Sequence, residues 1–247
     1  MSTQKIKLLF TCPHGGEQDL DVLREENPAC NEDEFITVGE TKTRELTESI
    51  CNKIETMNGQ HPHMIRASHR RRYVDFNRKK ECAFEVSSLA AEKAYLEYHD
   101  DISQKINEMF SQNENGLAFL FDIHGFREKV DEHGNPFDVI VGNDEGNSIR
   151  ALNKADPGAF WGDNGLIPLL KNNRYNVLPR NLNERLAGHT LDGGYTIQKY
   201  SSDEPGRGLV AIQIEVALSI REDDNRREQF AAELADCIFN FVSPFIK

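Results

Sequence analysis

The segment Leu117-Ala118-Phe119-Leu120-Phe121-Asp122-Ile123-His124-Gly125 joins a long apolar run to two polar residues and a final glycine. A continuous apolar run of this length is typical of a central strand that is covered on both faces of its sheet. His124 then lies at the carboxyl end of the strand, and Asp122 lies two residues earlier on the same face. We therefore predict an α/β protein with polar groups at the sheet edge where such proteins bind ligands.

A similar strand is predicted near the N-terminus. The apolar residues 6–10 are followed by Thr11-Cys12-Pro13-His14-Gly15-Gly16-Glu17, in which proline and glycine end the strand. His14 and Glu17 are three residues apart, so one turn of chain can point an imidazole and a carboxylate at the same spot. Together with a further imidazole such as that of His124, these groups predict a His₂Glu zinc site that keeps one coordination position open for water.

The segment 70–78 (Arg-Arg-Arg-Tyr-Val-Asp-Phe-Asn-Arg) is basic within an acidic protein. It suggests a binding site for a small anionic group, because the planar fork of an arginine matches a carboxylate in two bonds. The alternative, a solvated patch that pairs with surface acids, is favoured for Arg70 and Arg72 but less for Asn77 and Arg78. An extended backbone would place four side chains on one face: Arg71, Tyr73, Asp75 and Asn77.

Two further segments carry candidate site residues. Leu209–Val216 alternates strictly, so that Glu215 faces away from the aliphatic side of a predicted strand. Glu215 is a candidate general base, and the alternative is an exposed acid on an edge strand. Gly193-Gly194 lets the chain pass close to a pocket and present the phenol of Tyr195.

The remaining periodicity predicts alternating helices and strands. Helices are expected at 41–57, 88–110, 165–171 and 225–241, and strands at 64–67, 138–142 and 175–178. The sequence has no repeats and no convincing linker, so residues 1–247 are expected to form a single domain.

Composition narrows the function classes. The formal net charge of −12 argues against a nucleic-acid surface, and no apolar run approaches the length of a membrane span. The five scattered cysteines (Cys12, Cys30, Cys51, Cys82 and Cys237) include no Cys-x-x-Cys pair, so we expect reduced thiols. Together with the lack of a signal-peptide pattern, this predicts a cytoplasmic protein.

The order of these motifs resembles the N-formylglutamate amidohydrolase family, which is related to the zinc carboxypeptidases and aspartoacylases. The shared series is His14-x-x-Glu17, then Asn77-Arg78, Asp122-x-His124-Gly125, Gly193-Gly194-Tyr195 and Gln213-x-Glu215. The resemblance spans about residues 12–215. It implies a phosphorylase/hydrolase-like three-layer α/β sandwich with a mixed central β-sheet.

The resemblance also implies a role for each matching residue. It implies one Zn²⁺ per chain bound by His14, Glu17 and His124, with Glu215 as general base. Arg71 or Arg70 would polarise the scissile carbonyl, since the alignment is uncertain there by one residue. Asn77 and Arg78 would hold the α-carboxylate of the substrate, and Tyr195 would close over it.

The implied reaction is hydrolysis of the amide bond of an N-acyl amino acid, with N-formyl-L-glutamate as the first candidate. A zinc-activated water would attack the amide carbon, and Glu215 would carry the proton to the leaving amine. Two alternatives remain open. One is a zinc peptidase or γ-glutamyl (polyglutamate-type) hydrolase, and the other is a non-catalytic relative that binds anions. No nucleic-acid or membrane partner is expected.

Overall fold

In a computed structural model of the chain, residues 6–28, 30, 35–111, 116–181, 184, 192–202 and 208–246 are described. Strands in these ranges form one mixed sheet in the order β2-β1-β3-β6-β4-β5. The strands β2, β1, β3 and β6 are parallel, β4 runs antiparallel to β6, and β5 is parallel to β4. Their bounds are β1 Leu8–Cys12, β2 His63–Arg66, β3 Ala118–Phe126, β4 Val139–Gly142, β5 Val177–Leu178 and β6 Leu209–Ala217.

Helices cover both faces of the sheet. On one face α1, α5 and α8 pack against a core that includes Val210, Ile212 and Ile214 of β6. On the other face α3 and α6 pack against Leu9, Leu120 and neighbouring residues. The helices are α1 Thr43–Asn58, α2 Lys80–Ala83, α3 Leu89–Ser111, α4 Arg150–Ala155, α5 Leu166–Asn172, α6 Tyr195–Ser202, α7 Leu218–Arg221 and α8 Asp224–Val242. The predicted three-layer α/β fold with a mixed sheet is confirmed.

Each helix and strand predicted from periodicity is present, with ends shifted by one or two residues. The short helices α2, α4, α6 and α7 were not predicted from the sequence. The segment 70–78 is not an extended strand, so the condition for placing Arg71, Tyr73, Asp75 and Asn77 on one face is not met. The amide nitrogens of Tyr73 and Val74 both donate to the carbonyl of Arg70, so this segment turns. None of the helices in the described ranges has the length and hydropathy that a membrane-spanning segment requires.

The cysteines differ from the prediction of five reduced thiols. Cys30 and Cys82 form a disulfide with a Cα–Cα distance of 6.0 Å, whereas Cys12, Cys51 and Cys237 are free and buried. The bonded residues are 52 positions apart in sequence. Sequence spacing could not show that the loop after β1 folds over the segment before α3, which is the contact that brings the two sulfurs together.

The register of the central strands aligns the polar residues at their carboxyl ends. His124 on β3 lies opposite Glu215 on β6, and Asp122 lies between Thr11 on β1 and Gln213 on β6. Residues paired across neighbouring strands point to the same face of a sheet. The polar side chains of these three strands therefore form two adjacent rows on the face that α3 covers.

Candidate metal centre

Three potential metal ligands converge beyond the carboxyl ends of β1 and β3. One ligand atom each from His14, Glu40 and His124 can be chosen so that all lie within 4.8 Å of one another. Glu40 Oε1 lies 2.7 Å from His14 Nδ1, and Glu40 Oε2 lies 3.3 Å from His124 Nδ1. Two imidazoles and one carboxylate are a donor set that fits a divalent metal and leaves a position open for a further ligand.

The backbone around each ligand fixes its position. His14 lies two residues after the end of β1, and its carbonyl accepts a hydrogen bond of 3.2 Å from the Glu40 amide. The carbonyl of Glu40 accepts a hydrogen bond from Thr43 Oγ1, in the first turn of α1. The amide of Gly125, next to His124, donates to Glu40 Oε2 at 2.9 Å. The carboxylate of Glu40 is therefore attached to both strands that supply the imidazoles.

A buried aspartate orients each imidazole through the ring nitrogen Nε2, on the opposite side of the ring from Glu40. His14 Nε2 lies 2.7 Å from Asp75 Oδ1, and His124 Nε2 lies 2.9 Å from Asp122 Oδ2. Since an ionised carboxylate can only accept, each Nε2 donates its hydrogen and each Nδ1 faces Glu40. Thr11 donates to the other oxygen of Asp122 at 2.6 Å. Carboxylates in this outer position are the usual partners of metal-binding histidines.

The predicted ligand Glu17 does not belong to this group, and Glu40 takes its place. The Glu17 side chain is 76% exposed, with one oxygen 4.0 Å from Arg44. Its amide donates to the carbonyl of Ser68, which holds the turn after Gly16 against the segment after β2 and directs the side chain outward. No local signal in the sequence distinguished Glu40, because it reaches the histidines only through the return of the loop after β1.

Buried charges stabilise one another at the centre. Although burial opposes ionisation, the charges of His14 and His124 hold the pKa of Glu40 well below its usual value. Burial likewise opposes the charge of His124, but Asp122 and Glu40 raise its pKa well above the usual value. Arg71 and His14 lower the pKa of the buried Asp75 in the same way. The pKa shifts of Glu40, His124 and Asp75 thus all favour the charged forms, because groups of opposite charge lie within hydrogen-bond distance.

Glu215 lies beside these groups. Its Oε1 accepts a hydrogen bond of 2.8 Å from Gln213 Nε2 and lies 3.9 Å from His124 Nδ1. Its Oε2 is buried and has no hydrogen-bond partner among the described residues. Burial raises the pKa of Glu215 to about 7, and the charge of His124 partly offsets that rise. A buried carboxyl with one oxygen unpartnered is suited to exchange a proton with a bound water or substrate.

The structure distinguishes between the two arginines left open by the sequence. The Arg71 side chain is 6% exposed, with Nε donating to Asp75 Oδ2 at 2.8 Å and Nη1 to Glu40 Oε1 at 3.3 Å. The Arg70 side chain is 51% exposed and donates to the carbonyl of Glu17. Arg71 is therefore the arginine that lies beside the candidate ligand Glu40.

Among the predicted substrate-binding residues, Asn77 lies beside His124, and Arg78 lies beside Asn77 and Asp75. Asn77 Nδ2 is 3.3 Å from His124 Nε2, and Asn77 Oδ1 accepts a hydrogen bond from the Thr196 amide at 2.7 Å. Arg78 donates to the carbonyl of Asn77 and lies 3.9 Å from Asp75. The ring of Tyr195 packs edge-on against the ring of His99 of α3, with 5.7 Å between the ring centroids.

A cavity of about 500 Å³ is lined by the candidate ligands His14 and Glu40. Its wall carries both basic and acidic side chains: Arg70, Arg72, Lys42, Glu17, Glu45 and Glu222. The side chains of His124 and Glu215 are almost completely buried and are not among its lining residues. Of the residues at the candidate centre, His14 and Glu40 are therefore the ones that face this cavity.

Similarity to known proteins is found at the level of the fold. Neither the known family models nor the curated proteins match this sequence. The structure is similar to that of N-formylglutamate amidohydrolase from Ralstonia eutropha JMP134, with a TM-score of 0.65 and 14% identity over 98% of this chain and 95% of that one. A gene product from Agrobacterium tumefaciens matches with a TM-score of 0.63 and 15% identity, covering 98% of this chain and 91% of that one. The chain shares its fold with both proteins.

The assignment of Glu40 rather than Glu17 to the candidate ligand set can be tested directly. Glu40→Gln removes the charged ligand, so its zinc affinity should fall by more than the roughly 10–100-fold that the loss of an outer partner costs. Glu17→Gln is the matched control and should bind zinc like wild type, because its side chain is exposed. Competition with a chelating dye measures both affinities. Weak binding by Glu17→Gln with normal binding by Glu40→Gln would reverse the assignment.

The outer carboxylate behind His124 can be tested separately. Asp122→Asn keeps the shape of the side chain but loses the charge that orients the imidazole, so zinc affinity should fall roughly 10–100-fold. Asp101→Asn, an exposed substitution on α3, serves as the control. Equal zinc affinities of Asp122→Asn and wild type in the same dye competition would show that Asp122 does not support the centre.

Proposed function

We propose that this chain is a zinc-dependent amidohydrolase in which residues 1–247 form one catalytic domain. The zinc would be held by His14, Glu40 and His124. The observation that carries the proposal is the convergence of these three side chains beside Glu215, whose buried Oε2 has no partner in the described part of the chain. The fold shared with an N-formylglutamate amidohydrolase supports the same reaction class.

The proposed chemistry divides between the metal and Glu215. A zinc ion held by His14, Glu40 and His124 would supply Lewis acidity, which would lower the pKa of the attacking water and polarise the substrate carbonyl. Glu215 accepts the proton of the attacking water at its unpartnered oxygen and then donates that proton to the amine nitrogen that leaves. Gln213 holds the other oxygen of Glu215 throughout, through a hydrogen bond of 2.8 Å.

Arg71 stabilises the charge that develops on the carbonyl oxygen. Its guanidinium is already oriented by Asp75 and Glu40, so little reorganisation is needed when that charge appears. Arg78, together with Asn77, would bind the α-carboxylate of the substrate. Arg70, on the cavity wall, and Tyr195 are proposed as outer substrate contacts.

The proposed substrate is a small N-acyl amino acid, with N-formyl-L-glutamate first. The fold neighbour from Ralstonia eutropha is an N-formylglutamate amidohydrolase, and this chain combines a metal centre with several arginines that suit an acidic substrate. A cytoplasmic location stays a prediction from the sequence. The Cys30–Cys82 disulfide argues against it, because disulfides persist mainly in oxidising compartments.

Turnover of N-formyl-L-glutamate by the zinc-loaded protein tests the proposed function. We expect release of glutamate and formate, and we expect Glu215→Gln to lower kcat by about 10²–10⁴-fold while it keeps one zinc per chain. Glu97→Gln on the exposed side of α3 is the control and should keep full activity.

A protein that binds zinc but cleaves no member of a panel of N-acyl amino acids would contradict the proposed substrate class. Cleavage of a γ-glutamyl polymer by that same preparation would identify a peptidase-type hydrolase. Unchanged kcat in Glu215→Gln would remove this residue from the mechanism.

The two neighbouring arginines allow a matched comparison. Arg71→Met should lower kcat/KM by about 10²–10³-fold, since it removes a preorganised donor to the developing oxyanion. Arg70→Met should change kcat/KM by only a few-fold, because Arg70 is half exposed on the cavity wall. Thermal unfolding curves of both variants would separate lost activity from lost structure. A larger loss of kcat/KM in Arg70→Met would assign the oxyanion contact to Arg70 instead.

A further inference from the structure

Arg221 is a buried cation close to the segments that carry Glu40, His124 and Glu215. It ends α7, the short helix that follows β6, and only 2% of its surface is exposed. Its guanidinium donates to three backbone carbonyls: those of Val216 (3.0 Å), Phe126 (3.3 Å) and Thr41. Within the described ranges no carboxylate forms an ion pair with it, so these carbonyls are its hydrogen-bond partners.

The three carbonyls share one property. Thr41 directly follows Glu40, Val216 directly follows Glu215, and Phe126 lies two residues after His124. One side chain therefore holds the three segments that carry a proposed ligand, the proposed base and a second proposed ligand. These segments come from distant parts of the chain, namely the loop before α1, the end of β3 and the end of β6.

The fold makes room for this guanidinium at Gly125. A Cβ added there would lie 2.2 Å from Arg221 Cζ and 2.3 Å from Nε, so a larger residue cannot occupy the position without moving Arg221. The amide of the same glycine donates to Glu40 Oε2 at 2.9 Å. The absence of a side chain at Gly125 thus leaves space for the guanidinium, and its backbone amide binds the proposed ligand Glu40.

The chemistry of arginine suits this arrangement. A guanidinium keeps its charge when it is buried and presents five N–H donors in a rigid plane, so the positions of its acceptors are fixed relative to one another. The ammonium of a lysine has a single nitrogen and could not reach three separated carbonyls. Arg221 is itself held in place, because Arg227 on α8 donates to its carbonyl at 2.7 Å.

We propose that Arg221 is a positioning residue that sets the spacing between Glu40, His124 and Glu215. This inference rests on the proposed function, since those three groups act together only in that reaction. The competing view is that Arg221 merely stabilises the turn between β6 and α8. The two views differ in whether metal affinity depends on Arg221 beyond any loss of stability.

The test compares Arg221→Lys, Arg221→Met and Gly125→Ala with wild type. Ile238→Ala, a core substitution in α8 about 16 Å along the helix from Arg227, is the control for lost stability. We expect zinc affinity to fall roughly 10–100-fold in all three site variants and to be unchanged in Ile238→Ala. The visible spectrum of the cobalt-substituted protein should change only in the site variants, and their kcat should fall more than their KM rises.

Wild-type zinc affinity and cobalt spectrum in folded Arg221→Lys would overturn the proposal, because the rigid fork would then be unnecessary. A measurement on the wild-type protein does not depend on whether variants fold. The NMR signal of Arg221 Nε–H should be protected from exchange and should shift when zinc binds, and an unshifted signal would also overturn the proposal. If wild type binds no zinc, the proposed function itself fails. Zinc binding that is insensitive to Arg221 contradicts this inference alone.

Discussion

The parallel pairing of β3 with β6 is the constraint on which the candidate centre depends. It places His124 opposite Glu215 and Asp122 opposite Gln213, so that a potential metal ligand and a potential base start from adjacent backbone positions. A shift of one residue in this register would turn every one of these side chains to the opposite face. The apolar residues that alternate with them lie in the core on that opposite face, so the hydrophobic packing that fixes the register also fixes the polar site.

The same arrangement concentrates charge in the interior. The carboxylates Glu40, Asp75 and Asp122 are at least largely buried, and each is paired with a histidine or with Arg71. An isolated charge at such a depth would be very unfavourable, and pairs compensate for their desolvation only when their geometry and hydrogen bonding are good. Glu215 is the exception, because one of its oxygens has no partner among the described residues and its pKa rises to about 7. The least satisfied carboxyl of the cluster is the one proposed to move protons.

Sequence periodicity was sufficient for the sheet and the long helices, because apolar spacing reports burial directly. It also predicted that His14, His124 and Glu215 lie at or just after the carboxyl ends of strands, as they do. The same reasoning failed for Glu17, since closeness in sequence says nothing about the direction of a side chain after two glycines. Glu40 and the disulfide partner Cys30 both lie in the loop after β1. Their positions are set by long-range contacts of that loop, for which a single sequence carries no local pattern.

The position of Glu40 also shows that the three candidate ligands depend on different parts of the fold. His124 lies on β3 and His14 lies two residues after the end of β1, so the sheet fixes both imidazoles. A carboxylate ligand needs only to place an oxygen between the two Nδ1 atoms, whatever segment supplies it. Here a loop does so, because the amide of Gly125 and the guanidinium of Arg71 both hold the Glu40 carboxylate. The surrounding hydrogen bonds, and not a fixed spacing in the sequence, therefore determine which carboxylate reaches the two histidines. For this reason a His-x-x-Glu motif can supply the histidine of such a centre while its glutamate lies outside the ligand group.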